Sequence, residues 1–144
     1  MEKLKTNFVA VLVMVPLMFI KSEPALGQSP IKMKTTSIAY NYKENGYSWA
    51  NWSDFEEASM LVLMDLDRER ITIYSKETQV YDIAKDEGKT TDSDGDEFYS
   101  FLCVNEDGKA CRIRLAKLNS QGGRNQLYVE FDDMKWVYYL RAVD

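Results

Sequence analysis

Two cysteines, several carboxylate clusters and no histidine are what this 144-residue chain offers for chemistry. The missing histidine excludes Ser-His and Cys-His nucleophilic catalysis, imidazole general-base work and every His-ligated metal site. Cys103 and Cys111 flank the turn sequence Asn105-Glu106-Asp107-Gly108. A three-residue loop of Glu106, Asp107 and Gly108, with Gly108 left-handed, sets Asn105 opposite Lys109, Val104 opposite Ala110 and Cys103 opposite Cys111. Alternation then turns both sulfurs toward the core with Phe101 and Ile113. In an oxidising compartment the pair is expected as a structural disulfide, stabilising by ~2.5 kcal/mol through loop-closure entropy. The spacing is not that of a Cys-x-x-Cys redox pair, and no electropositive neighbour lowers a thiol pKa. Two free core thiols are the alternative, because opposed residues at a hydrogen-bonded ladder position bridge less readily.

Asp92, Asp94 and Asp96 fall at positions 1, 3 and 5 of a calcium-loop pattern, where alternate side chains converge on one centre. The pattern then fails, since Glu97 stands where glycine is needed and Cys103 where the closing bidentate glutamate belongs. A solvated turn without metal is expected. The adjacent pairs Glu56-Glu57 and Asp132-Asp133 do not suit glycosidase chemistry, because neighbours on a strand point to opposite faces while catalytic carboxylates must face each other across a substrate. The expectation is a non-catalytic protein without a cofactor. Tyr40, Tyr42, Tyr47, Trp49 and Trp52 crowd around Asn45-Gly46, a two-residue hairpin signal that pairs Tyr42 with Trp49 on one face. Those rings either form a binding surface, for a sugar face or a protein, or plug a barrel end and cover a sheet edge.

The elements that must position these groups are strands. Ile71-Thr72-Ile73-Tyr74, Cys111-Arg112-Ile113-Arg114-Leu115 and Leu127-Tyr128-Val129-Glu130-Phe131 alternate apolar and polar residues, as half-buried antiparallel strands do. The same reading covers the apolar run Met60-Leu61-Val62-Leu63-Met64 and the segment from Met134 to Leu140. It gives about eight strands, near 36–42, 60–66, 69–75, 78–84, 97–104, 110–118, 125–131 and 134–141. The turns between them are too short for helical crossovers. An all-β antiparallel meander is therefore expected, closed into a small barrel or sandwich to hide its edges, with at most one short helix. Ser53-Asp54-Phe55-Glu56 has capping-box spacing and reads either as a helix of one to two turns over 54–59 or as a loop entering the Met60 strand. The polar stretch from Lys85 to Asp96 reads as a linker.

Lys3 and Lys5 precede an apolar run from Phe8 to Ile20, followed by Ala25 and Gly27, the layout of a signal peptide cut before Gln28. The run is shorter than a bilayer core requires, so no stable membrane insertion is expected after cleavage. Residues 1–27 are thus read as leader and 28–144 as one β-barrel-like domain, secreted or periplasmic. That domain keeps 15 basic and 21 acidic residues, a net charge of −6 that disfavours nucleic acid. The succession Trp49/Trp52, Ile71-Thr72-Ile73-Tyr74-Ser75, Gln79-Val80-Tyr81-Asp82-Ile83, Cys103…Asp107-Gly108…Cys111-Arg112-Ile113 and Gln126 through Asp133 followed by Val137-Tyr138 resembles small secreted domains of unknown function from Bacteroides-type gut bacteria. The likeness covers most of the mature chain and implies an exported barrel in a bacterial setting, with no activity attached. The outline is similar to compact calycin barrels, although the chain is shorter than a lipocalin and has no Gly-x-Trp opening. Two functions follow as expectations: a protein- or glycan-binding accessory module, or a small-ligand carrier with an internal cavity. They differ in whether inward positions such as Ile73, Tyr81, Ile113 and Val129 fill the interior or line a void.

Overall fold

A computed structural model describes residues 29–143; the expected leader, 1–27, lies outside them. Ten antiparallel strands run in chain order as β1 (Ile31–Glu44), β2 (Ser48–Trp49), β3 (Glu56–Glu57), β4 (Leu61–Asp65), β5 (Arg70–Tyr74), β6 (Gln79–Thr91), β7 (Glu97–Asn105), β8 (Ala110–Leu118), β9 (Arg124–Glu130) and β10 (Met134–Ala142). From β4 to β10 each strand pairs with the next, and β1 takes β4 on one edge and β10 on the other. This closes an eight-stranded barrel, to which β2 and β3 add short pairings on β1. Closure supplies hydrogen-bond partners for edges a meander would otherwise leave bare. The eight expected strands are the eight staves. The single helical turn among the described residues is a 3-10 turn at Asn119–Gln121.

Alternation sends Val62, Ile71, Ile73, Ile113, Leu127 and Val129 inward, each with no exposed surface. Full burial of such side chains contributes about 1.5–3 kcal/mol apiece. The outward face holds a second, thinner layer. Ala39, Ala116, Gln126 and Val137 are buried there, where the segment between β2 and β4 lays Trp52 edge-on against Tyr128 and Phe55 against Tyr139.

Two local expectations give way, and the open reading of 54–59 resolves to a non-helical entry into β4. The 54–59 segment is extended, because Ser53 Oγ accepts from the Tyr40 N–H at 2.8 Å and so pins the chain to β1 instead of capping a helix. The stretch from Lys85 is no linker: β6 continues to Thr91 in register with β7, through two bulges and a left-handed Gly88 at φ 81°. Among the described residues no strand pairs with its other edge beyond Asp82, and every residue from Ala84 to Thr91 is exposed, so the sequence turns polar while the backbone stays paired with β7. The β1–β2 turn takes three residues, with Glu44 opposite Ser48 and Lys43 opposite Trp49. Asn45 and Gly46 do adopt positive φ, yet the extra residue slips the register by one. A slip of one reverses every side chain, so Trp49 leaves the face of Tyr42.

Candidate functional site

The turns β5–β6, β7–β8 and β9–β10 lie at one end of the barrel, together with the C-terminal end of β1. A cavity of about 560 Å³ opens there. Its walls are Ile38 and Tyr40 from β1, Tyr81 from β6, and Trp136 and Tyr138 from β10, with Met60 and Phe131 completing the apolar lining. Phe131 stacks on Trp136, centroids 5.8 Å apart, and Trp136 sits opposite Tyr40 across the closing β1–β10 pair. Tyr40, Tyr81, Trp136 and Tyr138 reach this end from the inward faces of their strands, and Phe131 from the turn that follows β9.

Polar groups converge on the same space. The Tyr81 hydroxyl donates to Gln79 Oε1 at 2.6 Å, and Gln79 Nε2 donates to Ser75 Oγ at 3.0 Å and to Tyr138 Oη at 3.4 Å. Burial raises the pKa of Tyr81, and burial likewise raises that of Tyr138 against the lowering effect of its Gln79 hydrogen bond. Both phenols are neutral donors and acceptors at ordinary pH. Asp107, Lys109 and Asp133 stand at the rim. Asn105 Oδ1 accepts from the N–H groups of Asp107 and Lys109 at 3.0 and 2.9 Å, fixing that hairpin, while Lys43 N–H donates to the Asp133 carbonyl at 3.0 Å and ties the β9–β10 turn to β1.

The five aromatics singled out in sequence do not form one surface. Tyr40 lines the cavity; Tyr42 and Tyr47, 55% and 89% exposed, are not part of its lining. Trp49 and Trp52 lie outside, where Lys135 Nζ sits 4.0 Å from the Trp49 ring centre and 5.5 Å from that of Trp52. Cys103 and Cys111 face each other in the expected register, with Gly108 left-handed, but the sulfurs are not bonded. This corrects the disulfide. The Asn105 N–H donates to the Lys109 carbonyl, so Asn105 and Lys109 form a hydrogen-bonded pair, and two residues on Cys103 and Cys111 occupy the same kind of position. Side chains there stand farther apart than at non-hydrogen-bonded pairs, and a disulfide needs β-carbons about 3.8 Å apart. Burial pushes the Cys103 pKa up to about 12 and that of Cys111 up to about 11, so neither is a nucleophilic thiolate near neutrality.

Asp92, Asp94 and Asp96 lie at the opposite end, with one carboxylate oxygen of each within 4.8 Å of the others. Their oxygens serve the loop. Asp92 Oδ1 accepts from the Asp94 and Asp96 N–H groups, and buried Asp96 receives the Ser120 N–H and hydroxyl at 2.8 and 2.9 Å. Of the paired carboxylates, Asp133 reaches the cavity rim while Glu56 and Glu57 are exposed on β3.

Sequence reasoning missed Gln79, Phe131, Trp136, Tyr138 and the two rim aspartates as members of one site. Their common signal is position: each is the inward residue, or the turn residue, at the same end of successive strands. No protein-family model matches the chain, and neither the curated proteins nor the solved structures contain a significant match to it.

Proposed function

We propose that this chain is an exported, non-catalytic binding protein that holds a small, largely apolar molecule in the mouth of its barrel. The observation that carries the reading is the cavity of about 560 Å³, lined by five aromatic rings and a few convergent polar groups, a size and composition typical of small-molecule sites. The buried neutral thiols and the absence of histidine support binding over catalysis. A protein- or glycan-binding surface draws less support, because the two tryptophans it would use lie under Lys43 and Lys135.

Titration with the neutral dye N-phenylnaphthylamine tests the reading. Stoichiometric binding with Kd on the order of 10 µM is expected for a ligand of that size, and Ile38→Trp, which fills the cavity, abolishes it. Binding that survives Ile38→Trp unchanged, in a variant whose circular dichroism matches the parent, overturns the site.

A further inference from the structure

We infer that the barrel mouth selects an organic cation, a protonated amine or quaternary ammonium carried on an apolar body. The inference rests on the mouth being a small-molecule site and adds the charge of its ligand.

The rings of this protein divide into two populations. On the outer surface the aromatic clusters carry the chain's own cations: Lys135 lies over Trp49, Arg114 is 4.6 Å from the Tyr128 ring centre and 5.1 Å from that of Phe98, and Arg124 is 3.8 Å from that of Tyr139. Each such contact satisfies the negative face of a ring. Tyr40, Tyr81, Phe131, Trp136 and Tyr138 surround the mouth, and among the described residues no lysine or arginine lies over any of them. An inward-facing set of aromatic rings with no internal cation is the arrangement that receives an ammonium group from outside.

Charge at the rim points the same way. Asp107 and Asp133 come from two different hairpins and converge on one opening, and neither belongs to a salt bridge among the described residues. Lys109 is the single cation of the lining, so the opening is net negative, within a chain of net charge −5. A cation is drawn toward such an opening and an anion repelled. The apolar body then meets Ile38, Met60 and the rings, while Tyr138 and Gln79 offer neutral hydrogen bonds deeper in.

Calorimetry with three probes sharing one apolar body, phenylbutylamine, phenylbutanol and phenylbutyrate, decides the matter at neutral pH and low salt. The amine is expected to bind roughly 3- to 30-fold tighter than the alcohol, with the acid weakest. Asp107→Asn with Asp133→Asn removes most of the amine's advantage over the alcohol. An alcohol that binds as tightly as the amine overturns the cation inference while leaving the mouth site intact. Tightest binding of the acid overturns it as well and transfers selectivity to Lys109. If none of the three binds, the mouth site itself falls.

Discussion

The barrel is built alike at both ends and finished differently. At the end bearing the β4–β5, β6–β7 and β8–β9 turns, Met33, Met64, Ile71, Phe101, Leu127 and Leu140 fill the interior, and the buried Asp96 carboxylate joins the β6–β7 loop to Ser120. At the other end rings stand around a cavity, and among the described residues the carboxylates Asp107 and Asp133 have no partner of this kind. The difference lies in shape more than hydrophobicity. At the packed end the adaptable thioethers of Met33 and Met64 and the branched Ile71, Leu127 and Leu140 close around Phe101, whereas several rings standing together where strands end at turns leave space between them. An aspartate whose oxygens are consumed by the backbone stabilises a loop; one at an open rim is available to a ligand.

Truncation of the packed interior should produce the largest effects. Ile113→Ala is expected to cost about 2–5 kcal/mol, because it leaves a cavity among fully buried neighbours. Met60→Ala at the mouth, half-buried and beside existing free space, should cost about 1 kcal/mol or less. Urea denaturation of the two variants checks the contrast, and equal losses would break it. Next in size is Asp96→Ala, expected to cost about 2–3 kcal/mol by orphaning the Ser120 donors. Asp94→Ala, whose side chain is exposed, should change the urea midpoint little.

The thiol pair lies between the two ends. The intact mass of the purified protein should equal that of the dithiol, and a thiol reagent should react with both cysteines only after unfolding; a mass lower by two hydrogens would restore the bridge. Replacement of Cys103 and Cys111 by Ala together is expected to cost about 1–3 kcal/mol through lost burial. Both folded thiols titrate above the ordinary value of 9.0. Their contribution is therefore fully present below about pH 9 and lost as pH rises through about 11 and 12. Urea midpoints measured from pH 8 upward should fall in the parent more steeply than in the double alanine variant. A small effect, about 0.5–1 kcal/mol, is expected from Lys135→Ala on the outer surface, through its cation–ring contacts. It should leave ligand binding at the mouth unchanged, a result that keeps the two populations of rings distinct.

Much of the barrel was legible because alternation reports which strand face is wet, and each of the eight staves has one dry face over at least part of its length. Legibility ended where that condition lapsed. From Lys85 to Thr91 both faces of β6 are wet, so a paired strand has the composition of a linker. Asn45-Gly46 correctly marks a turn, but the residue that follows sets the register, and with it the side of the sheet on which Trp49 falls. Ser53 carries a capping pattern, yet a serine oxygen accepts from whichever N–H the fold brings near, here that of Tyr40. At the site, Tyr81 was legible as an inward residue. Its convergence with Asp107, Phe131, Asp133 and Trp136 depends on closure of the barrel, which no single strand encodes.

That closure has a kinetic meaning. Each hairpin from β4 to β10 is local and can form as its two strands emerge, but the pairing of β1 with β10 joins Met33 to Ala142 and Tyr42 to Met134 across nearly the whole described chain. Contacts so distant in sequence carry the largest loop-closure entropy and slow the folding of small β proteins to the range of milliseconds to seconds. Until β10 arrives, the meander is an open sheet with two live edges, and the mouth, whose wall includes residues of both β1 and β10, does not exist. Pairing of β10 with β1 thus does two things in one step: it removes both open edges of the sheet and completes the wall of the mouth.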